Sequence, residues 1–415
     1  GGTTGWITGD ITNNGSLVFD RSDGQIFSGI VSGSGSLEQA GKDTLILKGA
    51  NTYTGGTAIS QGTLEIGIGD TNGWITGDVL DNGSLVFNRS DDVVFSGLVS
   101  GGGGLEQMGP GTLVLTGDNT YTGGTTVNSI QSGVSVLQIG NGSTHGSIEG
   151  DVVVNYGMLV FDRSDDVTFD GLISGYGSVI KSGEGTLILS QTNTYSGGST
   201  VEQGVLEVLA GTGLGTGSIS VGSASAQYTG QILKLDTGAD LPNNVFLYDG
   251  ATLDNSGTIH QSVSNATVQS SDSGSVTVVN RDGARIDGSY QGIQLGYGGS
   301  ISNGAGSVIS GFTRGISSDV GGAITVNNSG GSIIGWTTTN LQFGDGISAV
   351  SATIINTDGG RIEGRAAGIL VLFDSTILNS NGGVISGNAA GTGVGVMLDS
   401  GGVVTNDGAT ILAQG

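Results

Sequence analysis

The sequence predicts an all-β fold, a single parallel β-solenoid, and three observations carry that prediction. Short runs such as Thr112-Leu113-Val114-Leu115-Thr116 alternate apolar and polar residues with the period of a strand that buries one face. The chain has 84 Gly but only 2 Pro among 415 residues, and the glycines do not recur at every third position, which excludes collagen. Runs with helical apolar spacing are nearly absent, and the strand patterns recur in internal repeats. A Gly/Ser/Asn/Thr-rich chain could instead be disordered. Regular Val, Ile and Leu placement within 35% hydrophobic content argues for short strands joined by tight turns.

Taken in order, residues 1–219 form a first region of three long repeats. Leu17-Val18-Phe19-Asp20-Arg21-Ser22-Asp23 returns as Leu85-Val86-Phe87-Asn88-Arg89-Ser90-Asp91-Asp92 and as Leu159-Val160-Phe161-Asp162-Arg163-Ser164-Asp165-Asp166. The copies lie 68 and 74 positions apart, and Tyr53, Tyr121 and Tyr195 keep the same spacings. The six extra positions fit an insertion at 128–135, in a loop, where stacked repeats tolerate it. Each copy continues with a Thr-Leu-Ile/Val-Leu strand, an Asn-Thr-Tyr turn and paired glycines, as in Thr112–Gly124. One such unit suits about three layers of roughly 23 residues.

Residues 220–275 read as transitional coils of the same architecture, with strands at Ile232–Leu235 and Val245–Leu247. Residues 276–415 carry a shorter repeat, in which an Asn turn and one or two glycines precede x-Ile-x-Gly. Its markers are Ile286, Ile309, Ile333, Ile362, Ile385 and, more loosely, Ile411, so the numbering advances by 23, 24, 29, 23 and 26 positions. That spacing identifies single coils, each laying its marker on the one before in a dry aliphatic stack. With strands ~4.8 Å apart, about 18 coils would give an elongated rod of roughly 85 Å. A core of that shape grows along its axis, so a long chain need not split into globules.

The formal net charge of −24 opposes binding to nucleic-acid phosphates or anionic lipid. No apolar run is long enough to span a bilayer, so direct membrane insertion is not expected. No signal peptide is visible, and residue 1 reads as an internal start. The absence of cysteine suits a chain that must stay unfolded through a narrow pore, but it is equally ordinary in a reduced compartment.

Several constellations could carry chemistry, and each has a plainer reading. The recurring acidic turns, Asp20/Asp23, Asn88/Asp91/Asp92 and Asp162/Asp165/Asp166, could offer oxygens to Ca²⁺. Each also carries Arg21, Arg89 or Arg163, so the expected role is a capped turn in which Arg offsets repulsion. Asp272-Ser273-Gly274-Ser275 is similar to a serine-protease nucleophile loop, yet the chain has only His145 and His260 to serve it. Asn356-Thr357-Asp358-Gly359 matches one motif of pectin-cleaving β-helix hydrolases, without their further carboxylates or Gly-His-Gly signature. It also occupies the same repeat position as Asn280-Arg281-Asp282-Gly283, which points to a repeat turn. Trp6, Trp74 and Trp336 could line a sugar groove. Trp6 and Trp74 share one repeat slot, Gly-Trp-Ile-Thr-Gly, and core or cap packing is expected for them all. No catalytic residue, metal or cofactor is expected.

The three long copies resemble the autotransporter-associated β-strand repeat, Gly-Thr-Leu-x-Leu-x-Gly-x-Asn-Thr-Tyr-x-Gly-Gly-Thr preceded by Phe-x-Arg-Ser-Asp-Asp. The match covers about residues 5–210. The resemblance implies the passenger of a Gram-negative type V secreted protein, typically a right-handed parallel β-helix exported through a C-terminal outer-membrane β-barrel. It implies adhesion, self-aggregation and biofilm formation, with a minority of enzymes. The sequence contains neither leader nor barrel, and so reads as a passenger fragment displayed on the bacterial surface or secreted.

The expected function is a non-enzymatic surface adhesin acting by many weak contacts. Its expected partners are identical passengers on neighbouring cells, host or matrix proteins, or glycans. Thr52, Thr120 and Thr194 are expected at similar azimuths, forming a hydroxyl ladder for self-association. The alternatives are a passive stalk for a functional tip outside this sequence and a β-helix enzyme acting on glycans.

Overall fold

The computed structural model describes residues 1–5, 7–129, 133–209, 211, 213–223, 228–261, 265–270, 274–318, 322–336, 344–388 and 393–413. Among these residues the ordered elements are strands, and the pairings between strands are parallel. Successive windings pair in register and bury one aliphatic side, so the chain is an all-β parallel β-solenoid. It divides into two compact units, Gly1–Gly198 and Ser199–Gly415.

In the first unit every winding contributes to three faces. On the first face Ile11–Thr12 pairs with Val31–Ser32, Val31 O accepts from Thr52 N at 2.9 Å, and Ala50 bridges to Trp74. The second face runs through Ser16–Phe19, Ser36–Gln39, Thr57–Ile59, Val79–Asp81, Val99–Gly101 and Thr120–Tyr121. The third begins at Gln25–Phe27 and ends at Val152–Asn155 and Ile173–Gly175. Inward residues such as Leu37, Leu64, Leu85, Leu113 and Tyr121 are 0% exposed, and burying each large aliphatic side chain contributes about 2 kcal/mol.

The register on the second face runs Leu17↔Leu37↔Thr57↔Val79↔Val99, so one winding advances the numbering by 20 or 22 positions. Each long repeat therefore takes slightly more than the expected three layers, because a layer is shorter than 23 residues. Three windings carry Leu17 only to Val79, and Leu85 lies one face further on, paired with Leu64 and Leu105. Each long copy is three windings plus one face. Equivalent residues in successive copies therefore step round the axis: Leu17 sits on the second face, Leu85 on the third, and Leu159 opposite Leu137 on the first.

In the second unit the repeat is one winding long, and equivalent residues stack directly. Ile259, Ile286, Ile309, Ile333, Ile362, Ile385 and Ile411 pair in succession, and all but the last are 0% exposed. The glycine two positions after Ile286, Ile309, Ile333, Ile362 and Ile385 turns a corner too tight for a side chain: a Cβ on Gly364 would collide with the carbonyl oxygen of Ala367. Beside the isoleucines runs a column of buried amides. Asn255, Asn280, Asn303, Asn328, Asn356 and Asn379 each donate Nδ2 to the Oδ1 of the next asparagine, ending on Asn406, at 2.7–2.8 Å. The sequence marks these residues only as turn formers. In the fold they satisfy one another in a dry column, as buried polar groups must.

Candidate interaction surfaces

The acidic turns are staples. Arg89 Nε and Nη2 donate to Asp91 at 2.9 and 2.7 Å, while Nη2 also donates to Thr71 O at 2.8 Å and Nη1 to Gly73 O. Arg163 repeats this with Asp165 and the carbonyls of Gly146 and Thr144, and Arg21 with Asp23 and those of Gly5 and Thr3. Each guanidinium thus clamps an upstream loop to the turn. Its bonds hold the Asp165 carboxyl below the usual carboxylate range. Asp92 and Asp166 cap Thr112 N and Thr186 N, each at 2.8 Å. Among the described residues no three His, Cys, Asp or Glu side chains gather as a metal would need.

The other motifs resolve similarly. Asp272 and Ser273 lie outside the described residues; His145 pairs with Asp118 at 3.3 Å and His260 with Asp240 at 3.1 Å. Asn356 belongs to the amide column. Asp358, in the left-handed region at φ 55°, accepts from Ser329 Oγ at 2.8 Å. The Asn-Thr-Tyr motif is a joint between windings. Asn51 Oδ1 accepts from Val31 N at 2.8 Å, and its Nδ2 donates to Gly49 O and Trp74 O. Tyr53 is fully buried, and its hydroxyl lies 2.6 Å from Thr57 Oγ1; burial pushes the phenol up to about 12. Asn119 and Tyr121 repeat both contacts.

Thr52, Thr120 and Thr194 are all exposed, but the structure does not bring them together. Thr52 lies beside Val31 on the first face, Thr120 pairs with Ser100 on the second, and Thr194 N donates to Ile173 O on the third. The expected common azimuth fails because the long repeat exceeds a whole number of windings. An in-register hydroxyl ladder does exist in the second unit: Thr277, Ser300, Thr325, Thr353 and Thr376 pair in succession on the outer side of one sheet.

Of the tryptophans, Trp6 lies outside the described residues. Trp74 is half-buried, edge-on to Phe95 with ring centroids 6.1 Å apart, so packing holds for it. Packing fails for Trp336, which is 58% exposed. It borders a cavity of about 260 Å³ lined by Ile334, Glu363, Arg365 and Asn388.

Sequence reading passed over two groups that aligning the copies would reveal. Asn14 and Asn82 accept from the backbone of Ser34 and Gly102 one winding on. The third copy puts tyrosines in both slots, and Tyr156 and Tyr176 stack at 5.2 Å with 68% and 63% exposure. Asp81 occupies the slot of Asn13. It is 0% exposed and its Oδ2 has no hydrogen-bond partner, so burial raises the carboxyl to about 6.

Comparison with known proteins agrees with this architecture. The passenger-associated-transport-repeat family matches residues 37–66, 105–129 and 179–208, the same portion of each long copy. An adhesin BmaC autotransporter of Brucella suis biovar 1 (strain 1330) is 33% identical over 232 residues, covering 50% of this chain. The match spans only 7% of the length of that protein. No solved structure matches. Three matched repeats, the parallel solenoid they wind and the similarity to an autotransporter together support reading this chain as an autotransporter passenger with passenger-associated transport repeats.

Proposed function

We propose that the chain acts as a surface-displayed bacterial adhesin, held at the outer membrane through a barrel of its parent protein or released from it, and works through many weak contacts. The observation that carries this reading is the 33% identity to a protein named an adhesin autotransporter. The in-register hydroxyls of Thr277, Ser300, Thr325, Thr353 and Thr376 support a multivalent mode. One hydrogen bond exchanged with water contributes only about 0.5–1.5 kcal/mol, so association requires many in register. Self-contact must also overcome a net charge of −24, which favours it at salt concentrations where the Debye length shrinks to about 10 Å. Contacts of this kind need no catalytic group.

Beads coated with the chain test the reading through clumping and through binding to a panel of matrix proteins and glycans. Salt-dependent clumping or panel binding is expected, with stepwise loss as Thr325, Thr353 and Thr376 are changed to Asp. Beads that neither clump nor bind would instead favour a passive stalk. Loss of all function on changing a single carboxylate would favour an enzyme.

A further inference from the structure

We propose that the corner cavity beside Trp336 is a binding site for neutral saccharides, taking one pyranose ring against the indole. The proposal deepens the adhesin reading by naming a partner class. The corner follows the glycine of x-Ile-x-Gly, where successive windings place Ser289, Phe312, Trp336, Arg365 and Asn388 one above another. Trp336 N donates to Gly311 O, and Asn388 N to Gly364 O, both at 2.9 Å. The backbone thus makes its bonds here whatever the side chain, and other windings fill the slot with Ser, Arg or Asn. An indole left 58% exposed at such a corner contributes little to the core.

The lining specifies the ligand. Ile334 and the Gly335 and Gly364 backbones line the cavity with Glu363, and Trp336, Arg365 and Asn388 complete it around about 260 Å³. Glu363 offers acceptors only, Arg365 donors only and Asn388 both. A ligand with one flat apolar face and a rim of hydroxyls, each both donor and acceptor, complements all four side chains together. An acidic sugar would meet Glu363 and the field of a chain at −24. A cation attracted to the indole would face Arg365 and Arg361, whose Nε already donates to Glu363 at 2.7 Å. Phe312, 41% exposed one winding before Trp336, extends the platform for a second ring.

The test is an array printed with cellotriose, maltotriose, chitotriose and their sialylated or sulfated counterparts, probed with the whole chain and followed by calorimetry. At least one neutral trisaccharide is expected to bind, at least tenfold more weakly to Trp336→Ala and to Arg365→Ala, and unchanged to Tyr156→Asn, a control at another exposed aromatic. Circular dichroism and thermal melting establish that the variants are folded. Absence of neutral binding, preference for the acidic glycans, or binding within twofold of wild type in Trp336→Ala would overturn the proposal. The bead assay separates the two readings. Beads that clump or bind matrix proteins while the array stays blank remove the site and leave the adhesin. A Trp336-dependent array signal on beads that neither clump nor hold matrix proteins removes the broader adhesin reading and leaves the site.

Discussion

Asp81 contributes a pH dependence to the stability of the first unit, and replacing it with asparagine exposes its magnitude. Its carboxyl is fully buried. Oδ1 accepts from Gly83 N at 2.9 Å, and Oδ2 has no partner. In the equivalent slot Asn13 makes both bonds, accepting from Gly15 N at 3.1 Å and donating to Ser36 O at 2.8 Å. Asp81 can imitate that donor only when protonated. Burial raises its pKa from 3.8 to about 6, so the folded state holds the proton more tightly than the unfolded chain. The associated stability is complete below about pH 4, falls as pH rises through 6, and is absent at pH 8. A shift of about two units at 1.36 kcal/mol each amounts to about 3 kcal/mol. Asp81→Asn is therefore expected to stabilise the protein at pH 8 by up to about 3 kcal/mol and to flatten the profile between pH 4 and 8. Hydrogen exchange across residues 57–105, with urea unfolding at pH 5 and pH 8, measures both effects. Wild type and variant profiles that stay parallel over that range would refute the reasoning.

Two further outcomes follow from the joints between windings. Arg89→Ala removes the clamp on Thr71 and Gly73 and leaves Asp91 unpaired; a loss of about 2–3 kcal/mol is expected, with new protease cleavage at 71–77 seen by mass spectrometry. Asn303→Leu breaks the amide column, leaving Asn280 Nδ2 only its longer bonds to Ala284 O and Val308 O and taking the Asn303 donor from Asn328 Oδ1; a cost of about 2–4 kcal/mol is expected as a lower melting temperature, whereas Asn406→Leu at the exposed end should cost much less.

The sequence by itself determined the architecture wherever repeat and winding coincide. Marker isoleucines that recur once per winding can meet only by stacking, and Ile309 and Ile385 are fully buried in that stack. The strand alternation around Leu113 and Leu115 likewise fixed which side faces inward, since a strand has a period of two. Tertiary structure alone decided what depends on azimuth. The distance from Phe19 to Phe87 does not reveal how much chain one winding takes, and that mismatch places Thr52, Thr120 and Thr194 on three different faces. Nor does a turn-forming asparagine disclose whether it meets water or another amide, because its partner lies a whole winding away along the chain. The cavity at Trp336 joins residues from three windings, and only the closure of those windings brings an indole, a carboxylate, a guanidinium and an amide round one space.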